Sequence, residues 1–366
     1  MTRVHTLANG VRVVADPVPG FQTFALTVAA GRGARWEDEA RGGWSHLLEH
    51  MVFKGAGGRS AREIVEAVEA RGGGINAATG YERTSFQVRS LAGALPLGLE
   101  VVADLVQRPT LDAGDLAREV GVIAQEIAEA ADTPDDFVFE MAQAAAFAAQ
   151  PLGRPVLGAE ASIAAADPET LESWRAHLYA PDRLVISAAG SFDEVELVET
   201  ATRLFGDAPS AEATPPPPAH FTGGPAAEAR KLEQAHLVLF LPGLGATDPD
   251  YFAMRLFAEI LGGGMSSRLF QEAREKRGLA YAIDAFAESY QDAGLLGVYA
   301  GCAAKDAGAL AKVVADQILA LSGDVAAAEL DRAKTQLKAS LFMARESLAA
   351  RAEQAAAQLL VMGRLL

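Results

Sequence analysis

The chain has 366 residues, half of them apolar, and a net charge of −16, which is long enough for two domains with their own cores and too acidic for nucleic acid to be the default partner. One cysteine, Cys302, excludes an intrachain disulfide and a cysteine-built metal site. The first residues lack the basic-then-apolar pattern of a signal peptide, and no charge-free apolar run reaches the roughly 18 residues of a membrane span, so a soluble cytoplasmic protein without a membrane partner is expected.

Residues 4–7 and 11–15 flank Ala8-Asn9-Gly10, a hairpin signal. A third apolar strand, 23–29, ends at Gly31 and Gly33. Between Gly43 and Gly55 the sequence predicts a short helix. On it His46 and His50 are four apart and share a face, and two imidazoles so placed can hold one zinc ion. Glu49 stands beside them. His46-Leu47-Leu48-Glu49-His50 is the inverted zinc-peptidase motif, with the glutamate as general base. Zinc with two protein ligands is a weak site, so this reading depends on a third.

Ser60 and Glu63 form a capping box for a helix carrying Ile64, Val65 and Val68, which stops at Gly72-Gly73-Gly74. Residues 75–90 read as one long extended segment, and 91–108 as an apolar helix ended by Pro109. The helix 115–132 places Leu116, Val120, Ile123 and Ile127 at core spacing, with Glu119 and Glu126 two turns apart on one face. Glu126 is the candidate third ligand, Glu119 a carboxylate behind the ion, and Glu129 an ordinary solvated residue. Residues 137–150 and 168–178 read as helices, 184–189 as a buried strand and 195–205 as a helix. The four prolines 215–218 mark a stiff linker.

Beyond it, a strand at 236–241, a helix at 248–261, a glycine-rich turn into a helix ending at Arg277, a strand starting at 279–281, another at 295–300 and helices at 306–321 and 326–361 repeat the order of the first half. The turn lacks a Gly-Lys-Ser/Thr sequence, which argues against nucleotide binding. No histidine follows His236, so the second half holds no matching metal motif.

Taken together, residues 43–55, 73–79, 119–136, 266–272 and 274–281 resemble the pitrilysin-type metallopeptidases, nearest to the mitochondrial processing peptidase branch and its bacterial relatives. The resemblance implies an α+β fold of two similar halves, each a sheet flanked by helices, closing as a clamshell. It implies a zinc-binding half at 1–207, a linker at 208–224 and a substrate-contacting half at 225–366 that is short at its C-terminal end relative to the family pattern. Residue by residue, it implies one zinc ion on His46, His50 and Glu126, Glu49 as base and Glu119 as helper. Asn76 and Ala77 match an edge strand that pairs with substrate, and Arg274 and Tyr281 match second-half substrate contacts. The expected activity is zinc-dependent endopeptidase cleavage of extended peptides, basic ones suiting the acidic chain, with a homodimer or a related subunit as partner. The alternative is a non-catalytic or partner-dependent subunit of a processing-peptidase-like complex.

Overall fold

Each expected punctuation mark in the first 110 residues begins or ends an element of the computed structural model, which describes residues 2–209 and 214–366. The Asn9-Gly10 turn joins β1 (Arg3–Thr6) to β2 (Arg12–Pro17), and β3 is Thr23–Ala30. The motif helix α1 is Trp44–Val52. A small hairpin, β4 (Gly55–Ala56) and β5 (Arg59–Ser60), precedes α2 (Ala61–Glu69). The capping box at Ser60 and Glu63 is formed in both directions. The extended segment expected at 75–90 is two strands, β6 (Gly74–Thr79) and β7 (Thr84–Leu91), paired antiparallel around a turn at 80–83. It holds a strand-like pattern throughout because both arms lie in one sheet, while Gly80 N donates to Arg83 O at 2.8 Å across the turn.

There follow α3 (Leu95–Gln107), α4 (Ala113–Asp132), α5 (Pro134–Ala146), a short α6 (Glu160–Ala164), α7 (Pro168–Leu178), β8 (Leu184–Gly190) and α8 (Glu194–Phe205). The second half contains β9 (Ala235–Gly243), α9 (Tyr251–Gly262), a π-helical turn at Phe270–Lys276, β10 (Ala282–Ser289), β11 (Gly294–Cys302), α10 (Ala307–Gly323), α11 (Ala327–Glu346) and α12 (Leu348–Met362). A single helix was expected over 326–361. It breaks at Ser347, whose extended backbone and hydroxyl, accepting from Ala350 N, start α12 afresh.

The two halves are similar in order: β3, α1, α2, β6, β7, α3, α4 and α5 have counterparts in β9, α9, the π-helical turn, β10, β11, α10, α11 and α12. The compact units do not follow the expected division at 208–224. One comprises Met1–Ala128, Pro155–Pro216 and Met343–Leu366, the other Glu129–Arg154 and Pro217–Phe342. Packing is the reason. Helix α12 belongs with the first sheet and α5 with the second, so these two corresponding helices each lie in the unit of the other sequence half. Of the expected linker, residues 210–213 lie outside the described residues; 214–224 contain no helix or strand.

In the first unit a six-stranded sheet runs β1-β2-β8-β3-β7-β6. All neighbours are antiparallel except β2 and β8, which are parallel. Its inner face, with Phe24, Leu26, Val28, Phe86 and Val88, packs on α1, α3, α7 and α8 in one core. Its outer face is covered by α12 through Ala352, Ala356 and Leu359 against Val14, Ala25, Ala29, Val185 and Ala189. Arg351 also donates to Asp16 Oδ2 at 2.7 Å.

In the second unit an antiparallel sheet runs β10-β11-β9. One face packs on α9 and α10 through Ile283, Ala285, Val298 and Ala300. The other holds Phe240, Phe286 and Tyr299, with Phe139 of α5 stacked on Tyr299 at 5.5 Å. Gly297, between Phe240 and Phe286 in register, leaves the space that the Phe286 ring occupies; a Cβ there would lie 2.3 Å from it. Among the described residues no helix is long and apolar enough to cross a membrane.

All three tryptophans, Trp36, Trp44 and Trp174, lie in the first unit, so their fluorescence reports its unfolding. Leu359→Ala on α12 should lower the stability of that transition by about 2–5 kcal/mol, read by tryptophan fluorescence in denaturant. An unchanged midpoint would show that α12 is not part of that core.

Candidate metal centre

Helix α1 buries Leu47, Leu48, Met51 and Val52 completely, so His46, Glu49 and His50 take the remaining face. Its N-terminus has no cap of its own. Gly43 at the N-cap position is left-handed, φ +90°, and a Cβ there would meet Leu157 O at 2.4 Å. The cap comes instead from Glu37, a buried side chain of the preceding loop. Its two carboxylate oxygens accept from Gly43 N (2.8 Å) and Ser45 N (2.7 Å), satisfying orphan donors with a charge suited to the positive end of the helix. Trp174 Nε1 donates to Ser45 Oγ, and Trp44 Nε1 to Ser162 O, holding the same turn.

Helix α4 buries Leu116 and Ile123 in the same core, which turns Glu119 and Glu126 toward α1. His46 Nε2 lies 3.8 Å from Glu126 Oε2, and His50 Nε2 lies 3.7 Å from Glu126 Oε1. Those separations are beyond hydrogen-bond range. They are near the roughly 3.4 Å between neighbouring donors of a tetrahedral zinc set with bonds of about 2.1 Å. One donor atom from each of the three residues lies within 4.8 Å of the others. Two imidazoles and a carboxylate are also the donor set of many catalytic zinc sites.

The protonation states fit a cation. Burial, with His50 beside it, pushes the His46 imidazole down to about 4, so it is neutral at pH 7 with a lone pair to offer. Burial opposes the charged form of Glu119, but hydrogen bonds from Lys54 and His50 outweigh it and hold the carboxyl below its ordinary range. Glu119 is therefore an acceptor on both oxygens: Lys54 Nζ donates at 2.6 Å and His50 Nδ1 at 3.0 Å. With its proton on Nδ1, His50 turns the lone pair of Nε2 toward Glu126. Glu49 Oε2 is buried without a hydrogen-bond partner among the described residues. The buried Tyr179 hydroxyl, also without one, is pushed up by burial and by the nearby Glu49 carboxylate. Residues at this place therefore fit a zinc ion, with an uncommitted carboxylate beside it.

The sequence-based site residues fall in two places. His46, Glu49, His50, Glu119 and Glu126 come together in the first unit. Asn76 and Ala77 lie on β6, the outermost strand of its sheet, with Asn76 exposed and Ala77 buried. The end of β6 is tied to α1 by Thr79 Oγ1 donating to Ser45 O at 3.4 Å. Arg274 and Tyr281 lie in the second unit. Arg274 is exposed with its guanidinium 4.7 Å from the Phe270 ring, and Tyr281 is 62 % exposed. Glu37, Lys54 and Tyr179 were not anticipated. Only Lys54 had a signal, since it lies within the motif stretch, one turn after His50.

Residues 12–160 match the family described as "Insulinase (Peptidase family M16)", and 165–337 match "Peptidase M16 inactive domain". The chain is 35% identical over 362 residues to an "Uncharacterized zinc protease" of Rickettsia bellii, covering 99% of this chain and 88% of that protein. It is 35% identical over 349 residues to the "Uncharacterized zinc protease YmxG" of Bacillus subtilis, covering 95% and 85%. A solved protease from Helicobacter pylori superposes with a TM-score of 0.88 at 22% identity, covering 98% of this chain and 89% of that one, which shows the shared fold. Fold and relatives thus define a chain of the zinc-protease class. It belongs to peptidase family M16, the insulinase or pitrilysin-type family.

Replacing Glu119 by Gln removes the charge that orients His50 and should weaken zinc binding about 10–100-fold, measured by competition with a metal indicator dye. His50→Ala should abolish stoichiometric binding in the same assay. Wild-type affinity in Glu119→Gln would remove Glu119 from the site.

Proposed function

We propose that the chain is a zinc-dependent endopeptidase that hydrolyses peptide bonds in extended peptides, with one zinc ion on His46, His50 and Glu126. The observation that carries this reading is the facing of both Nε2 atoms to one carboxylate at 3.7 and 3.8 Å, beside the unpartnered Glu49 Oε2. When bound, zinc supplies Lewis-acid polarisation of the scissile carbonyl and lowers the pKa of water it contacts to about 7.

The chain's own groups do the rest. Glu49 Oε2 accepts the proton of the attacking water and returns it to the leaving amine nitrogen. Its lack of a competing partner leaves it free to do so. Glu119 holds the His50 tautomer, and Lys54 holds Glu119. The outer edge of β6 offers main-chain hydrogen bonds to a substrate that adds as a further strand, which binds extended peptides with little demand on their sequence. Asn76 and Ala77 are assigned to that edge, and Arg274 and Tyr281 to substrate contact from the second unit. The charge of −16 favours basic peptides. Assembly with a second copy or a related subunit completes the proposal.

A second reading is a zinc-bound subunit that holds peptide without cutting it, favoured by the description of the family that matches 165–337 as an inactive domain. The two readings separate on Glu49→Gln, which removes the base and no metal ligand. For the enzyme, it should retain zinc and lower kcat by about 10²–10⁴-fold, with fluorogenic-peptide cleavage also lost to a chelator and restored by zinc. Equal, residual cleavage by wild type and Glu49→Gln, with peptide still bound, would favour the holding subunit and overturn the enzyme.

A further inference from the structure

In the proposed reaction the substrate takes its place from the edge of β6, while the zinc ligands His46 and His50 and the base Glu49 take theirs from α1. Cleavage then depends on how these two elements are held against each other. Both lie in the first unit and contribute to its core, but apolar burial is non-directional. The directed contacts between them run through the loop 33–37.

Thr79, the last residue of β6, donates from Oγ1 to Ser45 O, directly before His46. The turn that follows β6 is met by the start of the loop. Ala34 N donates to Gly80 O at 3.0 Å and Arg35 N to Tyr81 O at 2.8 Å. Gly33 lies so close to the turn that a Cβ would sit 2.2 Å from Gly80 O. The Arg35 guanidinium, 4% exposed, pairs through Nη1 with Glu82 Oε1 of the same turn. Two residues further on, Glu37 accepts from Gly43 N and Ser45 N at the start of α1. One short segment is thus bonded at one end to the turn of the substrate strand and at the other to the first turn of the metal helix. A buried arginine is costly to keep unless it is paired, and here its charge is spent on that turn.

We propose that Arg35 is a positioning residue: by holding Glu82 it sets the β6 edge against the His46, Glu49 and His50 face of α1, and so aligns the scissile carbonyl of a strand on β6 with the attacking water. This role rests on the peptidase reading. Arg35 is no metal ligand, and at 4% exposure it offers no surface to a substrate. A charged hydrogen-bonded pair has a narrow geometry, and a misplacement of about 1 Å at a reacting centre costs about 100-fold in rate. Loss of the pair therefore acts on the chemical step, while the edge that binds peptide and the ligands that bind zinc both remain.

The test compares Arg35→Gln, Glu82→Gln and the double variant with wild type, as zinc-loaded full chains. Each single variant should lower kcat on a fluorogenic peptide by about 10–100-fold, with KM and zinc affinity unchanged. The double variant should lose no more than either single one, because the two side chains act through one pair. Arg35→Lys, which keeps a charge for Glu82, should recover most of kcat. Apart from cleavage, hydrogen-exchange mass spectrometry should show the amides at 43–45 exchanging about tenfold faster in Arg35→Gln. Where a single variant strands a buried charge and does not fold, Arg35→Met with Glu82→Gln removes both charges and carries the same expectations. Wild-type kcat in folded variants, a loss confined to KM or to zinc affinity, additive losses in the double variant, or unchanged exchange at 43–45 would overturn the proposal. Zinc-loaded wild type that cleaves nothing would overturn the peptidase reading and this role with it, a failure distinct from intact cleavage in the variants.

Discussion

Four side chains on one face of α1, Leu47, Leu48, Met51 and Val52, are wholly withdrawn from water, and this burial decides which way the two imidazoles point. Burying an apolar side chain of this size is worth about 1.5–3 kcal/mol, far more than any preference of an exposed histidine. Helix α4 is fixed in the same way by Leu116 and Ile123. The polar faces of the two helices meet because their apolar faces share one core. The gathering of carboxylates and imidazoles is thus an outcome of hydrophobic packing. Electrostatics supplies no attraction between two partly buried neutral imidazoles with ring centroids 4.7 Å apart, and would oppose protonating both.

That packing would leave the start of α1 poorly served, because a glycine stands where a capping side chain belongs. Glu37 resolves this from outside the helix with both of its oxygens. The arrangement ties the loop at 37–43 to the helix and places full negative charge at its positive end. Its carboxylate is buried yet matched by donors, the condition under which a buried charge is tolerable. On the opposite flank, Lys54 and His50 do the same for Glu119. Two buried carboxylates, each held by donors from α1 or its immediate continuation, thus brace the motif helix at both ends.

How far the sequence discloses this depends on the range of the interaction. The His46/His50 pair, the Ser60 cap and the Glu119/Glu126 face are local periodicities, and each was legible. Glu37 was not, since a cap reaching across six residues leaves no spacing rule. The turn at 80–83 was hidden because Tyr81, Glu82 and Arg83 carry no strong turn signal beyond Gly80. The break at Ser347 was masked by alanine-rich sequence on both sides, which favours helix whatever its neighbours do. The membership of α5 and α12 was illegible for a different reason: local pattern says that a helix has an apolar face, and nothing about which sheet that face covers.

The exchanged helices bear on how such a chain can be divided. A cut at the proline run would leave the six-stranded sheet without α12 over Ala25, Ala29 and Ala189, and the three-stranded sheet without Phe139 over Tyr299. Neither fragment would be a module, although the halves repeat one another in order. Whatever doubling produced the repeat, the reciprocal loan of a helix makes it hard to reverse: a lineage that lost either half would have to recover a cover for the sheet it kept.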